Sequence, residues 1–471
     1  MTAGPDQTDL KMPLDVLILA AGLGTRMKSR VAKVLHQLGG RPLVAHVCRA
    51  AADLNPNRVY VVVGYQAKEV QAAVEQELAD PPAVFVTQTE QRGTGDAVMA
   101  AKSLLGETDS TVLILSGDVP MVRADTLRAL IAKHSADKAA CTMLTVRLEN
   151  PTGYGRVVRD DDGSLAKIVE QRDATEEERQ LREINAGIYC FDRRKLFAAL
   201  DRVQPTNTQG EFYLTDAPGI LRTDGETVSI YQHQDAREVS GINTRAELAE
   251  FENLLRRRTI RRLMIDGGVT FIDPSHSYIS DEAQIGRDCI IHPNVHVEGK
   301  SVIGDGCEIH QGARIRNSRL GNRVTIKDHC LIVDSEIADD CAAGPFAHLR
   351  MNARMEERAV VGNFVEVKKS RIGSGTKAMH LTYLGDATIG KNTNIGAGTV
   401  TCNYDGKHKH PTVIEDNVRI GSDTMLVAPV TVGSGSVTAA GSVITEDVPP
   451  DTLVAGVPAK VKKKISKDSK S

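Results

Sequence analysis

The chain has 471 residues, enough for two or three domains, and its 41% hydrophobic and 25% charged residues suit a globular protein with sizeable cores. A formal net charge of −3 gives no reason to expect nucleic acid or a membrane surface as partner. No stretch approaches the roughly 18 apolar residues of a membrane-spanning helix, and residues 1–13 are not typical of a secretory signal. The eight cysteines form no CxxC pair, so we expect reduced thiols and a cytoplasmic location.

Residues 14–240 alternate short aliphatic runs with helical patterns. The runs predict buried strands at Leu14–Ala20, Val59–Gly64, Ala83–Gln88 and Val112–Asp118. Helices are predicted between them at PLVAHVCRAAADL, EVQAAVEQEL, DAVMAAKSLL and TLRALIAKHS. This alternation predicts an α/β nucleotide-binding domain, Rossmann-like, with a mostly parallel sheet covered on both faces.

A glycine-rich loop follows the first predicted strand. Gly22–Gly24 would let the backbone approach a phosphate closely, and a following helix would direct its free N–H groups there. Arg26 and Lys33 are candidates to neutralise a polyphosphate. The loop is neither a Walker A motif nor a full GxGxxG fingerprint, because Met27 takes the place of the third glycine. Asp118, at the carboxyl end of a strand, is a candidate Mg²⁺ ligand or the N-cap of the next helix.

Residues 245–265 predict one amphipathic helix that ends at a Asp-Gly-Gly turn, residues 266–268. We place the domain boundaries there, with a first domain at 1–244, a linker helix at 245–265 and a second domain at 266–471. The arginine run 256–258 is interpreted as the solvated face of the linker, with an anion-binding patch as the alternative.

The second domain repeats every six residues. Aliphatic residues recur at Ile285, Ile291, Val297, Ile303, Ile309 and Ile315, and again at Ile389, Ile395, Ile414, Ile420, Leu426, Val432 and Ile444. Hexapeptide periods are typical of a parallel β-helix, in which stacked coils share one continuous core. We expect the β-helix to end at about Pro449 and the basic tail, residues 460–471, to be mobile.

Polar residues gather between the two runs of sixes, where a structural coil does not need them. His380, with an ordinary pKa near 6.5, is a candidate general base. Arg350 and Lys368 are candidates to bind a sugar phosphate, and Tyr383 and Asn394 to orient the sugar. His380 alone would more often be an ordinary surface histidine.

Two motif sets carry a family resemblance. LAAGLGTRM, AKVLH, QRGTGDAV, SGDVP, PTGYGRVV, IVEQRDAT, EINAGIY, QGEFYLTD and GINTR, between residues 19 and 245, resemble the sugar-nucleotide pyrophosphorylases, with Ala32 at the position of a usual proline. GPFAHLR, EVKK, HLTYLGD, NIGAGT and CNYDG, between residues 344 and 406, resemble an acetyltransferase. In this order they are similar to the bacterial family of bifunctional N-acetylglucosamine-1-phosphate uridylyltransferases and glucosamine-1-phosphate N-acetyltransferases.

The resemblance implies two reactions in one enzyme. The C-terminal half would acetylate glucosamine 1-phosphate with acetyl-CoA, and the N-terminal half would transfer uridylyl from UTP to N-acetylglucosamine 1-phosphate with Mg²⁺, releasing pyrophosphate. It also implies a homotrimer of left-handed β-helices with acetyl-CoA grooves between subunits.

The site residues are carried over motif by motif. The UTP and UDP-sugar site would comprise Leu19, Ala20, Ala21, Gly22, Arg26, Lys33, Gln88, Gly93, Thr94, Ser116, Gly117, Asp118, Gly155, Glu170, Asn185 and Asn243, with Asp118 and Asn243 as the metal ligands. His380 would be the catalytic base, and the acceptor sugar phosphate would be bound by Arg350, Lys368, Tyr383 and Asn394. Acetyl-CoA would lie against Ala397, Asn403, Tyr404, Ser422 and Ala440. The ending VAGVPAK, residues 454–460, lacks the arginine of some family members.

Two other functions remain open at this point. One is a nucleotidyltransferase with a single activity, whose β-helix only oligomerises or binds a regulator. The other is a non-enzymatic scaffold. His380 with Arg350 and Lys368 argues against the first, and the intact Lys33 and Asp118 argue against the second.

Overall fold

The computed structural model describes residues 12–78, 82–107 and 109–465. The chain divides into two compact units, residues 1–252 and 253–471. The N-terminal segment interpreted as lacking a secretory signal, apart from residues 12 and 13, lies outside the described residues, as do the last six residues of the basic tail.

The first unit is built on one twisted, mixed sheet. Along its main path the strands are ordered Val228–His233, Cys141–Arg147, Glu183–Asp192, Thr111–Ser116, Leu14–Leu19, Arg58–Val63 and Val84–Thr87. Pairing is parallel except along Glu183–Asp192, which is antiparallel to both neighbours. A hairpin of Arg156–Arg159 and Leu165–Val169 joins through this antiparallel strand, and Gln37–Leu38 pairs separately with Arg41–Pro42. The predicted mostly parallel α/β sheet is confirmed.

Helices cover both faces of this sheet, since apolar clusters form on either side of it. The α-helices are Leu43–Ala52, Ala67–Glu75, Thr94–Met99, Lys102–Leu105, Ala124–Ala136, Glu176–Arg179, Arg193–Leu200, Ala217–Thr223 and Ala236–Val239, with 3₁₀ turns at Thr25–Met27, Lys33–Leu35 and Leu214–Asp216. Two predictions were wrong in detail. DAVMAAKSLL forms two short helices, because the Ala101 amide bonds Val98 three residues back and tightens the turn. The glycine loop leads into a three-residue 3₁₀ turn rather than an α-helix.

The long helix Arg245–Ile265 is fixed at both ends by its sequence. At its start the Thr244 hydroxyl accepts from the Glu247 amide, while the Glu247 carboxylate accepts from the Thr244 amide, which is a capping box. At its end Gly268 has a φ of +67°, and the Val269 amide bonds back to Leu263. Within the arginine run, the Arg256 guanidinium stacks over the Tyr278 ring at 4.7 Å.

The second unit is a three-sided parallel β-helix whose described residues form three ladders. The first comprises Thr270–Phe271, Ile290–Ile291, Glu308–Ile309, Thr325–Ile326, Ala342–Ala343, Val360–Asn363, Lys377–His380, Asn394–Ile395, Arg419–Ile420, Val437–Thr438, Thr452–Gly456 and Ala459–Lys464. The second comprises Tyr278–Ile279, His296–Glu298, Arg314–Arg316, Leu331–Val333, His348–Arg350, Glu366–Lys368, Tyr383–Gly385, Val400–Cys402, Met425–Val427 and Val443–Ile444. The third comprises Gln284–Ile285, Val302–Ile303, Arg319–Leu320, Glu336–Ile337, Arg354–Met355, Arg371–Ile372, Ala387–Ile389, Thr412–Ile414 and Val430–Val432.

The aliphatic residues of the hexads point into a single core. The stretch that looked irregular in sequence forms coils as well. Two changes hide its period: the corner leading into the third ladder is often one residue shorter, as between Ile315 and Leu320, and alanines such as Ala343 and Ala378 replace larger core residues. The β-helix prediction is confirmed and extends without a break through residues 320–390.

The C-terminal end differs from the prediction. The strand Thr452–Gly456 continues the first ladder beyond Pro449, and Ala459–Lys464 folds back antiparallel against it. The expectation of a mobile tail is therefore wrong for residues 460–464. Backbone pairing holds this basic segment, even though the lysine side chains are exposed.

The inward-pointing residues should dominate the stability of the β-helix. Ile291 is 0% exposed, whereas its neighbour Ile290 in the same strand is 37% exposed. We expect Ile291→Ala to lower the free energy of unfolding by about 2–5 kcal/mol, because it removes buried methyl groups and leaves a cavity. Ile290→Ala should change it by less than about 0.5–1 kcal/mol. Urea unfolding followed by circular dichroism measures both, and equal losses would contradict the inward register.

Candidate active sites

A polar cleft of about 240 Å³ opens in the first unit where Leu14–Leu19 and Thr111–Ser116 end. It lies at the carboxyl ends of neighbouring parallel strands, where open α/β sheets bind their ligands. Its lining includes Leu19, Arg26, Lys33, Thr94, Ser116, Asp118, Gly155, Glu170, Asn185 and Asn243. These ten predicted residues are therefore brought together from segments as far apart as residues 19 and 243.

The positively charged Lys33 side chain lies between two side-chain oxygen atoms in this cleft. The Lys33 ammonium contacts the Asp118 carboxylate and donates to the Asn243 side-chain oxygen at 3.1 Å. Arg26 donates to the same Asn243 oxygen at 2.8 Å. A carboxylate and an amide oxygen that converge on one positive charge form a donor set suited to a hard divalent cation such as Mg²⁺.

The local backbone explains how Asp118 and Asn243 meet. The Ile242 amide donates to the Asp118 carbonyl at 2.9 Å, which holds the segment before Asn243 against the end of the strand. A Cβ at Gly241 would lie 3.2 Å from an Asp118 carboxylate oxygen, so a larger residue would crowd that carboxylate. Asp118 lies outside the next helix, which begins at Ala124, so it is not that helix's N-cap.

Gln88 and Gly93, before and at the loop of residues 93–95, hold the backbone beside the cleft. Gly93 has a φ of +114°, and a Cβ there would approach the Phe212 carbonyl to 2.5 Å. Gln88 is buried and donates to Asp96 at 2.9 Å. Gln88 and Gly93 are absent from the cleft lining, together with the other predicted residues Ala20, Ala21, Gly22 and Gly117.

The cleft also contains the Glu170 carboxylate, whose surroundings disfavour its ionised form. Burial raises the pKa of Glu170, and Asp173, Asp216 and Glu211 raise it further. The Thr215 hydroxyl donates to Glu170 at 3.5 Å. The carboxylate oxygens of Glu170 are suited to accept hydrogen bonds from ligand hydroxyl groups.

Residues that sequence reasoning missed also line this cleft. They include Gly153, Tyr154, Gly187, Tyr189, Thr215 and Gly241. Tyr154, Tyr189 and Thr215 lie within motifs quoted above, PTGYGRVV, EINAGIY and QGEFYLTD. The motif boundaries were therefore a usable signal for these residues.

The second group of candidate residues lies on consecutive coils of the β-helix. His380 ends the strand Lys377–His380 and is paired in register with Asn363 on the preceding coil. The imidazole Nδ1 lies 2.7 Å from the Asn363 side-chain oxygen. An amide oxygen only accepts, so this contact assigns the proton to Nδ1 and leaves Nε2 free to accept a proton.

The predicted phosphate-binding residues are neighbours in the second ladder. Arg350 is in register with Lys368, and Lys368 with Gly385. Arg350 donates to Glu366 at 2.7 Å, while the buried Lys368 ammonium lies 3.8 Å from Asp386. A Cβ at Gly385 would collide with the Tyr383 hydroxyl at 2.3 Å, so this glycine makes room for the tyrosine.

Lys409 is a further cation that sequence reasoning missed. The side-chain contact with Lys368, and after it the positive charge of Lys368, lower the pKa of Lys409. Two adjacent lysines repel each other unless an anion lies between them. No local signal could identify this contact, because it joins residues 41 positions apart, across the 402–410 loop.

Three of the five predicted acetyl-CoA residues form a column along one corner of the β-helix. The Asp423 amide bonds the Ala397 carbonyl at 2.6 Å, and the Gly441 amide bonds the Ser422 carbonyl at 2.8 Å, so Ala397, Ser422 and Ala440 lie on successive coils. Asn403 donates to Asp386 at 2.6 Å, which connects this column to Lys368. Tyr404 is exposed on the loop that follows. Asn394 lies in the first ladder, paired with Lys377.

Comparison with known proteins agrees with both halves. Residues 16–207 match the MobA-like NTP transferase domain, residues 274–357 the GMPPB C-terminal domain, and residues 411–446 the bacterial transferase hexapeptide of six repeats. The chain is 50% identical to the Bifunctional protein GlmU of Heliobacterium modesticaldum over 93% of this chain and 94% of that protein. The chain belongs to the GlmU family.

Other GlmU proteins are similar over the same extent. Identity is 48% to GlmU of a Geobacillus species, over 93% of this chain and 94% of that protein, and 48% to GlmU of Geobacter metallireducens, over 93% and 95%. The chain is thus a bifunctional enzyme of UDP-N-acetylglucosamine synthesis, a uridylyltransferase and an acetyltransferase. Among the described residues, no helix is both long enough and apolar enough to cross a membrane.

Proposed function

We propose that the cleft of the first unit carries Mg²⁺-dependent uridylyl transfer and that the His380 corner of the β-helix carries acetyl transfer. The carrying observation for the first site is the convergence of Asp118 and Asn243 on one positive charge. Asp118 and Asn243 would hold Mg²⁺, which when bound neutralises charge on the phosphate oxygens during in-line displacement.

The remaining residues of the cleft bind and orient the substrates. Arg26 and Lys33 compensate the negative charge of the UTP phosphates. The glycine loop at 22–24 lets the backbone approach the nucleotide. Gly155, Glu170 and Asn185 contact the sugar of N-acetylglucosamine 1-phosphate.

Acetylation depends on one proton transfer. The amine of glucosamine 1-phosphate is mostly protonated near neutral pH and has to lose a proton to attack the thioester carbonyl of acetyl-CoA. Asn363 orients the imidazole of His380 so that Nε2 takes this proton. Lys368, Arg350 and Lys409 bind the phosphate, and the column of small side chains at Ala397 and Ala440 lies along acetyl-CoA.

We expect Glu170 to lower the stability of the protein without substrate while it strengthens the binding of the sugar. Burial raises its pKa, so at pH values above that pKa the ionised carboxylate lowers the stability of the folded protein. Well below the ordinary pKa of a glutamate, the group is protonated in both the folded and the unfolded state and does not affect stability. We expect Glu170→Gln to raise the unfolding temperature of the first unit by an amount that grows as pH rises from about 4 to 8. The KM for N-acetylglucosamine 1-phosphate should increase at the same time. Calorimetry across pH and initial rates measure the two effects, and an unchanged KM would remove Glu170 from the sugar site.

The assembly we propose is a homotrimer in the cytoplasm. Phe346, Phe364 and Leu381 are exposed on the β-helix near His380, and the two phenylalanine rings stack at 5.2 Å. Such an exposed apolar surface favours a partner copy. We expect light scattering to give about three times the chain mass of 50.9 kDa, and a monomer mass would contradict the trimer.

One assay tests the division of labour. The purified protein is incubated with glucosamine 1-phosphate, acetyl-CoA, UTP and Mg²⁺, and every product is identified by mass. UDP-N-acetylglucosamine, free CoA and pyrophosphate are expected together. Without Mg²⁺, the products should stop at N-acetylglucosamine 1-phosphate. Equal loss of both steps without Mg²⁺ would contradict the proposed assignment.

A further inference from the structure

Two histidines and one glutamate form a compact cluster on the β-helix, far along the chain from the acetyltransferase residues. Ile290 and Ile291 are in register with Glu308 and Ile309, and the His292 amide bonds the Ile309 carbonyl at 3.0 Å. This register places His292 directly beside His310 on the next coil. Their rings stack with centroids 4.7 Å apart and an interplanar angle of 7°.

Both imidazoles present the same nitrogen to one carboxylate oxygen. The distance from Nε2 to the Glu308 Oε1 is 3.1 Å for His292 and 3.5 Å for His310. In a tetrahedral zinc site with bonds of about 2.0–2.2 Å, neighbouring ligand atoms are about 3.3–3.5 Å apart. The two carboxylate-to-nitrogen edges of the cluster, 3.1 and 3.5 Å, are already close to this length.

We propose that His292, Glu308 and His310 form a site for a divalent transition metal, with Zn²⁺ as the best match. The three ligand atoms all lie within 4.8 Å of one another, and this is the one such group of histidine, cysteine, aspartate or glutamate found in the described part of the chain. The distance between the two Nε2 atoms can shorten to the tetrahedral value if the two imidazole rings, which are both partly exposed, tilt toward each other. A water molecule completes the fourth position.

The donor types separate this site from the Mg²⁺ site of the first unit. Two imidazole nitrogens and one carboxylate suit Zn²⁺, Co²⁺ or Ni²⁺, whereas Mg²⁺ prefers an all-oxygen octahedron. Because the ligands come from two successive coils, a bound metal cross-links those coils at the N-terminal end of the β-helix. Its expected effect is on the stability of that end, and neither reaction of the enzyme depends on it.

Zinc titration of the full chain tests this proposal. The protein is treated with chelator, dialysed into metal-free buffer with a reductant for its thiols, and titrated with Zn²⁺ in a calorimeter. Losing even a supporting partner of a ligand costs about 10–100-fold in metal affinity, so losing a ligand should cost at least tenfold. We expect that loss for His310→Gln and for Glu308→Gln, and an unchanged affinity for His329→Gln, an exposed histidine outside the cluster.

Cobalt gives a second readout of the same ligands. Co²⁺ bound by the parent should show the strong visible absorption of a tetrahedral complex, and Glu308→Gln should lack it. Unfolding midpoints measured without metal establish that each variant is folded. If His310→Gln does not fold, Glu308→Gln still tests the site, because it preserves the shape of the side chain. Parent-like zinc affinity in both His310→Gln and Glu308→Gln overturns the proposal and leaves an ordinary hydrogen-bonded cluster.

Discussion

Replacing Asp118 with alanine should abolish uridylyl transfer and leave acetyl transfer at the parent rate. The substitution removes the carboxylate of the proposed metal site and leaves the Lys33 ammonium without its ion-pair partner. Loss of a single charge-stabilising group costs about 10²–10³-fold in kcat, and loss of the metal should cost at least that. Acetylation should continue because His380 belongs to the other compact unit.

Two controls make this experiment specific. Asp118→Asn keeps one oxygen ligand and the side-chain shape, so raising Mg²⁺ should partly restore its rate, whereas Asp118→Ala should not respond. Asp125→Ala removes an exposed aspartate that pairs with Arg128 at the start of the helix Ala124–Ala136, and its rates should match the parent. Equal loss of both activities in a folded Asp118→Ala protein would refute two separate sites.

His380→Ala should lose about 10²–10⁴-fold in acetyltransferase kcat, the usual cost of removing a general base. The KM for acetyl-CoA should change little, because the column from Ala397 to Ala440 is untouched. Uridylylation of ready-made N-acetylglucosamine 1-phosphate should proceed at the parent rate. Coupled assays for free CoA and for pyrophosphate measure the two reactions separately.

Variants around His380 distinguish its role from simple binding. Arg350→Ala should mainly raise the KM for glucosamine 1-phosphate, since it removes a phosphate contact. Asn363→Ala should lower kcat less than His380→Ala does. It removes the contact that fixes the tautomer of the imidazole but leaves the imidazole itself in place as the base. His276→Ala, on an early coil and bonded to Asp273, should behave as the parent does. Near-parent acetylation by His380→Ala between pH 6 and 9 would mean that another group or solvent is the base.

The periodic part of the fold could be predicted from sequence because every coil needs apolar side chains at the same positions. One inward aliphatic residue per side is required, and Ile285 to Ile315 meet it at regular spacing. Between residues 320 and 390 the demand is met by shorter corners and by small residues such as Ala378, which no count of six detects. The helix Arg245–Ile265 was predictable to the residue because Thr244 and Gly268 mark its ends locally.

The sequence could indicate which residues belong to the sites, but it could not indicate which side chains contact one another there. Motifs indicate Lys33 and Asp118, but nothing local shows that Asn243 meets Lys33 across 210 positions. The same holds for Asn363, whose partner His380 is 17 residues ahead, one coil away. Such contacts depend on strand register, which is fixed only when the whole sheet or coil is assembled.

The coil register also restricts how this domain can vary in length. His380 and Asn363 meet, and Ala397, Ser422 and Ala440 align, only because one turn of chain returns each residue above its predecessor. Deleting a residue within a strand of that region would turn the side chains that follow it in the strand to the opposite face, whereas removing one full turn from the stretch before Arg350 would leave the catalytic corner intact. The natural increment of growth or loss is therefore a complete turn of 17 or 18 residues, as separates Ile291 from Ile309 and Ile309 from Ile326.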